Sequence, residues 1–120
     1  MTTVALVLAV LGCLAILGIG ARFVVAPRPA LAGFGVPEQR PRAMTSAKGV
    51  RDVTSGIVPL VVLAAAGQHA FGWAMVAAAL TPTCDAVVVV ANGGTLRHAL
   101  SVHAATALVL VVAGLVLALA

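Results

Sequence analysis

Two stretches at the ends of the chain, Thr3–Ile19 and Ala104–Ala120, run almost without a polar side chain. A helix lying on a water-soluble core keeps a polar face, and a half-buried strand alternates apolar with polar residues. Neither pattern occurs in these runs. The rest of the chain agrees: 62% of residues are hydrophobic and 8% are charged, against about 45–50% and about 25% in soluble domains. That leaves too little polar surface to face water, so lipid is the expected solvent. In lipid only helices and closed barrels satisfy every backbone group. Barrel strands alternate apolar and polar residues, and these runs do not. The expected fold is all-α.

A spanning helix needs about 20 mostly apolar residues. A chain of 120 residues therefore holds four spans and one real loop. The spacing predicts a single four-helix transmembrane domain with helices over about 3–25, 43–67, 70–91 and 97–120. Met1-Thr2-Thr3 carries no basic residue and the apolar run continues to Ala21, so the first segment reads as a retained helix rather than a cleaved signal. The 26–42 connection holds Pro27, Pro29, Pro37 and Pro41 with Gly33 and Gly35, and regular helix is not expected to survive there. The link Gln68-His69 is short enough to force its flanking helices into an antiparallel hairpin. Pro59 and Pro82 mark kinks, Asn92-Gly93-Gly94 suits a left-handed cap, and Gly12, Gly18 and Gly20 would let another helix approach closely.

Orientation follows from the cations. All seven basic residues (Arg22, Arg28, Arg40, Arg42, Lys48, Arg51 and Arg97) lie in or beside the 26–42 connection and the turn after residue 91. Positive charge beside spans marks the cytoplasmic side. The chain thus reads as an antiparallel up-down integral membrane bundle, multi-pass in the cell membrane, with both termini outside. Charges so few and so placed suit anionic lipid headgroups rather than nucleic acid.

This topology brings scattered ionisable residues to one depth. Asp85 falls roughly 9 Å from the cytoplasmic end of the third helix, and His103 roughly 9 Å beyond Arg97, at about 1.5 Å per residue. Lys48, Arg51 and Asp52 occupy the same end of the second helix, and Arg22 closes the first. A carboxylate in the bilayer is costly and calls for a partner, protonation or a water-filled cavity. Lys48, Arg51 and Arg22 are the cations within reach of Asp85, and Lys48 and Asp52, spaced i, i+4, can pair along their helix. Asp85, Asp52, Lys48, Arg51 and His103 are the candidate catalytic residues. The same cluster would also serve to fix helix register without chemistry.

No metal or cofactor site is expected. His98 and His103 are five residues apart, which separates them on an α-helix, and no carboxylate adjoins them in sequence. Cys13 and Cys84 lie in apolar runs without a C-x-x-C pair, as small buried hydrophobes do. The nucleophile elbow of Ser/His/Asp hydrolases is absent.

Lys48-Gly49-Val50-Arg51-Asp52 followed by Gly56, then Asp85 after a kinked helix, then His103 with Thr106, resembles a family of small membrane proteins of actinobacteria and fungi. That family is catalogued as a domain of unknown function, DUF4267-like. Arg22-Phe23 and Gly33-Phe34-Gly35 fit the same resemblance. It implies a four-helix membrane fold over nearly the whole chain, and it directs attention to Lys48, Arg51, Asp52, Asp85 and His103.

Three functions compete. The first is a non-catalytic membrane protein that packs against a membrane-protein partner or a second copy of itself. The second is an acid–base enzyme (isomerase, cyclase or epoxide hydrolase type) acting on a lipophilic small molecule, with Asp85 or Asp52 as acid or base. The third is a small transporter, although four-helix exporters of this length rely on an acidic residue in the first helix and none stands here.

Overall fold

A computed structural model describes residues 2–34 and 42–120, and every regular element among them is helical. Helix α1 covers Thr2–Val25, α2 Pro27–Phe34, α3 Arg42–Ala78 and α4 Leu80–Ala91. A short α5, Leu96–His98, leads into a π-helical segment, Ala99–Ala104, and α6, Ala105–Leu119. These last three run on as one rod, Leu96–Leu119.

Three stretches are long and apolar enough to cross a membrane: Thr2–Phe23, Thr45–Ala91 and Leu96–Leu119. The middle one has 47 residues and would extend about 70 Å as a single straight helix. The longest dimension of the molecule is 45 Å, so this stretch doubles back. Gly67 turns it, at φ 80° and ψ −175°, a conformation open essentially to glycine alone. Lys48 and Asp85, placed almost symmetrically about Gly67, end 3.3 Å apart. The turn is tighter than the sequence suggests, because Gln68 and His69 are already helical. A Cβ on Gly67 would meet nothing within 4 Å, so Gly67→Ala isolates backbone strain. It should cost about 1–3 kcal/mol in detergent-micelle unfolding, and an unchanged midpoint would mean that the turn relaxes into another conformation.

The 26–42 connection departs from expectation. Residues 27–34 form α2 despite two prolines, because Pro27 and Pro29 occupy its first turn, where an N–H would lack an intrahelical acceptor anyway. Ala26 N–H still donates to Arg22 O at 2.8 Å, and Ala30 N–H donates to Ala26 O at 3.2 Å, so α2 follows α1 with hardly a break. Gly35, Pro37, Arg40 and Pro41 lie outside the described residues.

Pro82 acts as the sequence predicts. Having no N–H, it cannot bond the carbonyl of Ala78, and the ladder adjusts just before it. Ala79 N–H is shared between Met75 O at 3.1 Å and Val76 O at 3.3 Å, while Thr83 Oγ1 donates to Ala79 O at 2.8 Å. At the end of α4, Gly93 takes φ 86°. Gly94 N–H donates to Val89 O at 2.8 Å and Gly93 N–H to Val90 O at 3.3 Å, the paired bonds of a Schellman cap.

Glycines set the helix crossings. A methyl group on Gly20 would lie 2.8 Å from Gly49 O, and one on Gly56 2.8 Å from Cys13 O, so α1 lies directly on the first arm of α3. Gly72 and Gly114 do the same for the second arm and α6, with a Cβ on Gly114 falling 2.8 Å from Gly72 O. Gly12 and Gly18, equally plausible from sequence, face open space. Ala5, Ala9, Cys13, Phe71, Met75, Ala113 and Leu117 form the buried core, toward the end of the molecule where Gly67 turns. The outer faces of α1 and α6 expose Val4, Val7, Leu8, Leu11, Leu108 and Val112, surfaces suited to a lipid bilayer.

Candidate functional site

The end of the molecule opposite that core carries the charges. One turn of α3 separates Lys48 from Asp52 and puts both on one side of the helix, with Arg51 beside them. The reversal at Gly67 and the bend before Pro82 bring Asp85 of α4 against them. Lys48 Nζ donates to Asp52 Oδ2 at 2.9 Å and to Asp85 Oδ2 at 3.3 Å. Arg51 Nη2 straddles the Asp85 carboxylate at 2.9 and 2.8 Å, and Arg51 Nε lies 3.5 Å from Asp52 Oδ1. Two cations thus face two carboxylates, and these four charges sum to zero.

Burial makes this pairing necessary. Asp52 is 2% exposed and Asp85 7%, and an isolated ion so far from water would cost several kcal/mol. Lys48 Nζ also sits 5.0 Å from the centre of the buried Phe23 ring, a cation–π contact. Among the described residues no buried side-chain nitrogen or oxygen lacks a hydrogen-bond partner.

A cavity of about 600 Å³ adjoins the network, within the range of about 300–1,000 Å³ usual for small-molecule sites. Lys48, Asp52, Asp85 and His103 line its polar end. Gly12, Cys13, Met75 and Leu110 line the apolar remainder, where the Cys13 thiol reaches Met75 Sδ at 3.8 Å. From α2, Pro29, Ala30 and Gly33 reach its edge.

The histidines overturn one sequence expectation. A spacing of five residues separates them on an α-helix, but residues 99–104 wind as a π-helix, in which Ala105 N–H reaches back to Leu100 O. The wider turn sets the His98 and His103 rings edge to face, with centroids 5.9 Å apart. His103 is buried on the cavity wall. His98 Nε2 lies 3.0 Å from Gly33 O; a carbonyl only accepts, so Nε2 carries the hydrogen, and this bond ties α2 to the C-terminal rod. Among the described residues no third histidine, cysteine or carboxylate joins the pair as a metal-binding group. π-turns recur at functional sites.

One family model, described as "Domain of unknown function (DUF4267)", matches residues 13–117. The chain belongs to the DUF4267 family. No curated protein and no solved structure matches it.

The DUF4267 match contains Lys48, Arg51, Asp52, Asp85 and His103, and the structure gives each position of Lys48-Gly49-Val50-Arg51-Asp52 a physical reason. Lys48, Arg51 and Asp52 make the ion pairs. Gly49 is the floor against which Gly20 packs. Val50 points outward, 61% exposed. Of the residues singled out from sequence, Lys48, Arg51, Asp52 and Asp85 touch one another, and His103 shares their cavity. Arg22 lines that cavity too, but it is exposed and forms no ion pair among the described residues. Sequence reasoning missed the histidine pair and the Gly33 carbonyl, since no residue pattern announces a π-turn.

Proposed function

We propose that this chain is a single-domain, four-span integral membrane protein of the cell membrane, both termini outside, which takes a lipophilic small molecule into its cavity and acts on it by acid–base chemistry. The observation that carries this reading is the cavity itself: an apolar chamber whose one polar end combines Lys48, Asp52, Asp85 and His103. Sidedness rests on Arg22, Arg28, Lys48, Arg51 and Arg97, which all belong to the end of the bundle away from Gly67.

The geometry supports a division of roles. Asp85 accepts hydrogen bonds from two cations, which hold its carboxylate in a fixed orientation at the polar end of the cavity. Lys48 Nζ is placed to stabilise negative charge developing on a substrate oxygen. His103 is of the residue type that most readily gives or takes a proton near neutral pH. Such proton transfers contribute about 10²–10⁴-fold each, which suits isomerisation, cyclisation or epoxide opening.

The test begins with what the protein carries out of its membrane. Gly12 lines the cavity and a Cβ there meets nothing within 4 Å, so Gly12→Phe brings a bulky ring to the chamber wall from a position where the first added atom is free of contacts. Organic extracts of wild type should contain an apolar compound that Gly12→Phe lacks. Returned to wild type in nanodiscs, that compound should be converted, and Asp85→Asn and His103→Gln should slow the conversion at least 100-fold. Identical extracts from wild type and Gly12→Phe would refute binding; enrichment without conversion would refute the chemistry and leave a binding protein.

A further inference from the structure

We infer that the occupant of the cavity is a single-chain amphiphilic anion taken sideways from the bilayer, its chain on the Gly12–Leu110 wall and its head beside Arg22. This rests on the cavity being a ligand site, and three independent features of the chamber narrow the ligand.

The first is the mouth. Ile19 of α1, with Val102 and Val109 of the C-terminal rod, lines the cavity and is at the same time 46%, 39% and 54% exposed. The chamber therefore reaches the outer surface between α1 and the C-terminal rod, through apolar side chains. Near the opposite end Ala5, Ala9 and Cys13 of α1 share a core with Ala113 and Leu117 of the rod. A molecule dissolved in lipid already stands at this opening, whereas one in water does not.

Shape is the second. The lining runs along α1 from Gly12 to Phe23, about 16 Å at the rise of an α-helix. A volume of 600 Å³ at about 30 Å³ per liquid-packed non-hydrogen atom holds roughly 20 such atoms. A chamber extended along α1 to this length takes a single chain lengthwise.

Charge is the third. Lys48 and Arg51 are matched by Asp52 and Asp85 through four ion pairs. Arg22 lines the same end of the cavity and has no carboxylate partner among the described residues. The described site thus carries one surplus positive charge beside an apolar chamber, and a monoanionic head neutralises it. A neutral alcohol of the same length would leave it unmatched.

Two probes that differ only in the head group separate the possibilities: hexadecanoate and hexadecanol, bound to the purified full chain in nanodiscs and quantified by native mass spectrometry. Wild type should prefer the acid at least tenfold. Arg22→Gln should lose that preference while holding the alcohol as before, and Arg22→Lys should keep it. Gly12→Phe should hold neither. Equal affinity of wild type for acid and alcohol, or a preference that survives Arg22→Gln, overturns the head-group assignment and leaves the cavity standing. If wild type binds neither probe, or Gly12→Phe binds both undiminished, the ligand site itself is lost, and this inference with it.

Discussion

Replacing Asp52 with alanine should lower the unfolding free energy by about 3 kcal/mol, the low end of the roughly 3–5 kcal/mol expected when one partner of a buried ion pair is removed. The direction follows from what stays behind. Of its two carboxylate contacts Lys48 would lose the shorter and keep the one to Asp85 at 3.3 Å, with its side chain 15% exposed. The low end is the right choice because Arg51, the second partner of Asp52, has a side chain 47% exposed and recovers solvation from its surroundings. Asp52→Asn should behave almost as badly, since it keeps the shape and loses the charge. Removing both ends together, Lys48→Met with Asp52→Leu, should cost less than Asp52→Leu alone, because no unmatched cation then remains at this position. Denaturant titration in dodecylmaltoside micelles measures all four. A double variant no more stable than Asp52→Leu would show that the pair contributes little beyond packing.

That network was the most legible part of the site. Lys48 and Asp52 announce themselves by their i, i+4 spacing, and Asp85 by the cost of a carboxylate within an apolar helix. The hairpin that joins them was legible too, because the short Gln68-His69 link between two apolar segments forces them antiparallel. What the sequence hid is local backbone choice. Pro27 and Pro29 look like helix breakers, yet two prolines in a first turn are compatible with helix, and only the bonds made by Ala26 and Ala30 decide the matter. The spacing of His98 and His103 has opposite meanings on an α-helix and on a π-helix, and Ala99-Leu100-Ser101-Val102-His103-Ala104 has no composition that selects the second. Glycine roles were equally hidden: Gly12, Gly18 and Gly20 are alike in sequence, and only Gly20 meets another backbone.

The two ends of the bundle divide the work between them. Toward Gly67, apolar side chains and bare glycines bring the helices into contact. Toward Gly93, α1 and the C-terminal rod part around a chamber, and ion pairs hold α3 to α4. At that end Gly20 still lies on Gly49 and holds α1 to α3, and the ion pairs join α4 to them. The rod that carries His103 is held at its far end as well, where Gly72 meets Gly114.

That crossing gives the second large effect. Gly72→Leu should destabilise the protein by about 3 kcal/mol, at the upper end of the ~1–3 kcal/mol typical of overpacking. A Cβ at residue 72 would fall 2.7 Å from Gly114 O and against the backbone of Ala118. Both obstacles are main chain, so neither can rotate aside; α6 must move as a body. The core residues Phe71 and Met75, packed with Ala113 and Leu117, would lose contact at the same time. Even Gly72→Ala should be clearly harmful, because the clash begins at Cβ. Gly18→Ala, with open space around its Cβ, should change stability by no more than about 0.5 kcal/mol, or raise it through a stiffer unfolded chain. Denaturation in mixed micelles ranks the three variants. Should Gly72→Ala unfold together with Gly18→Ala and wild type, the helices do not rest on each other at this point, and the chamber's far wall is not held in place by it.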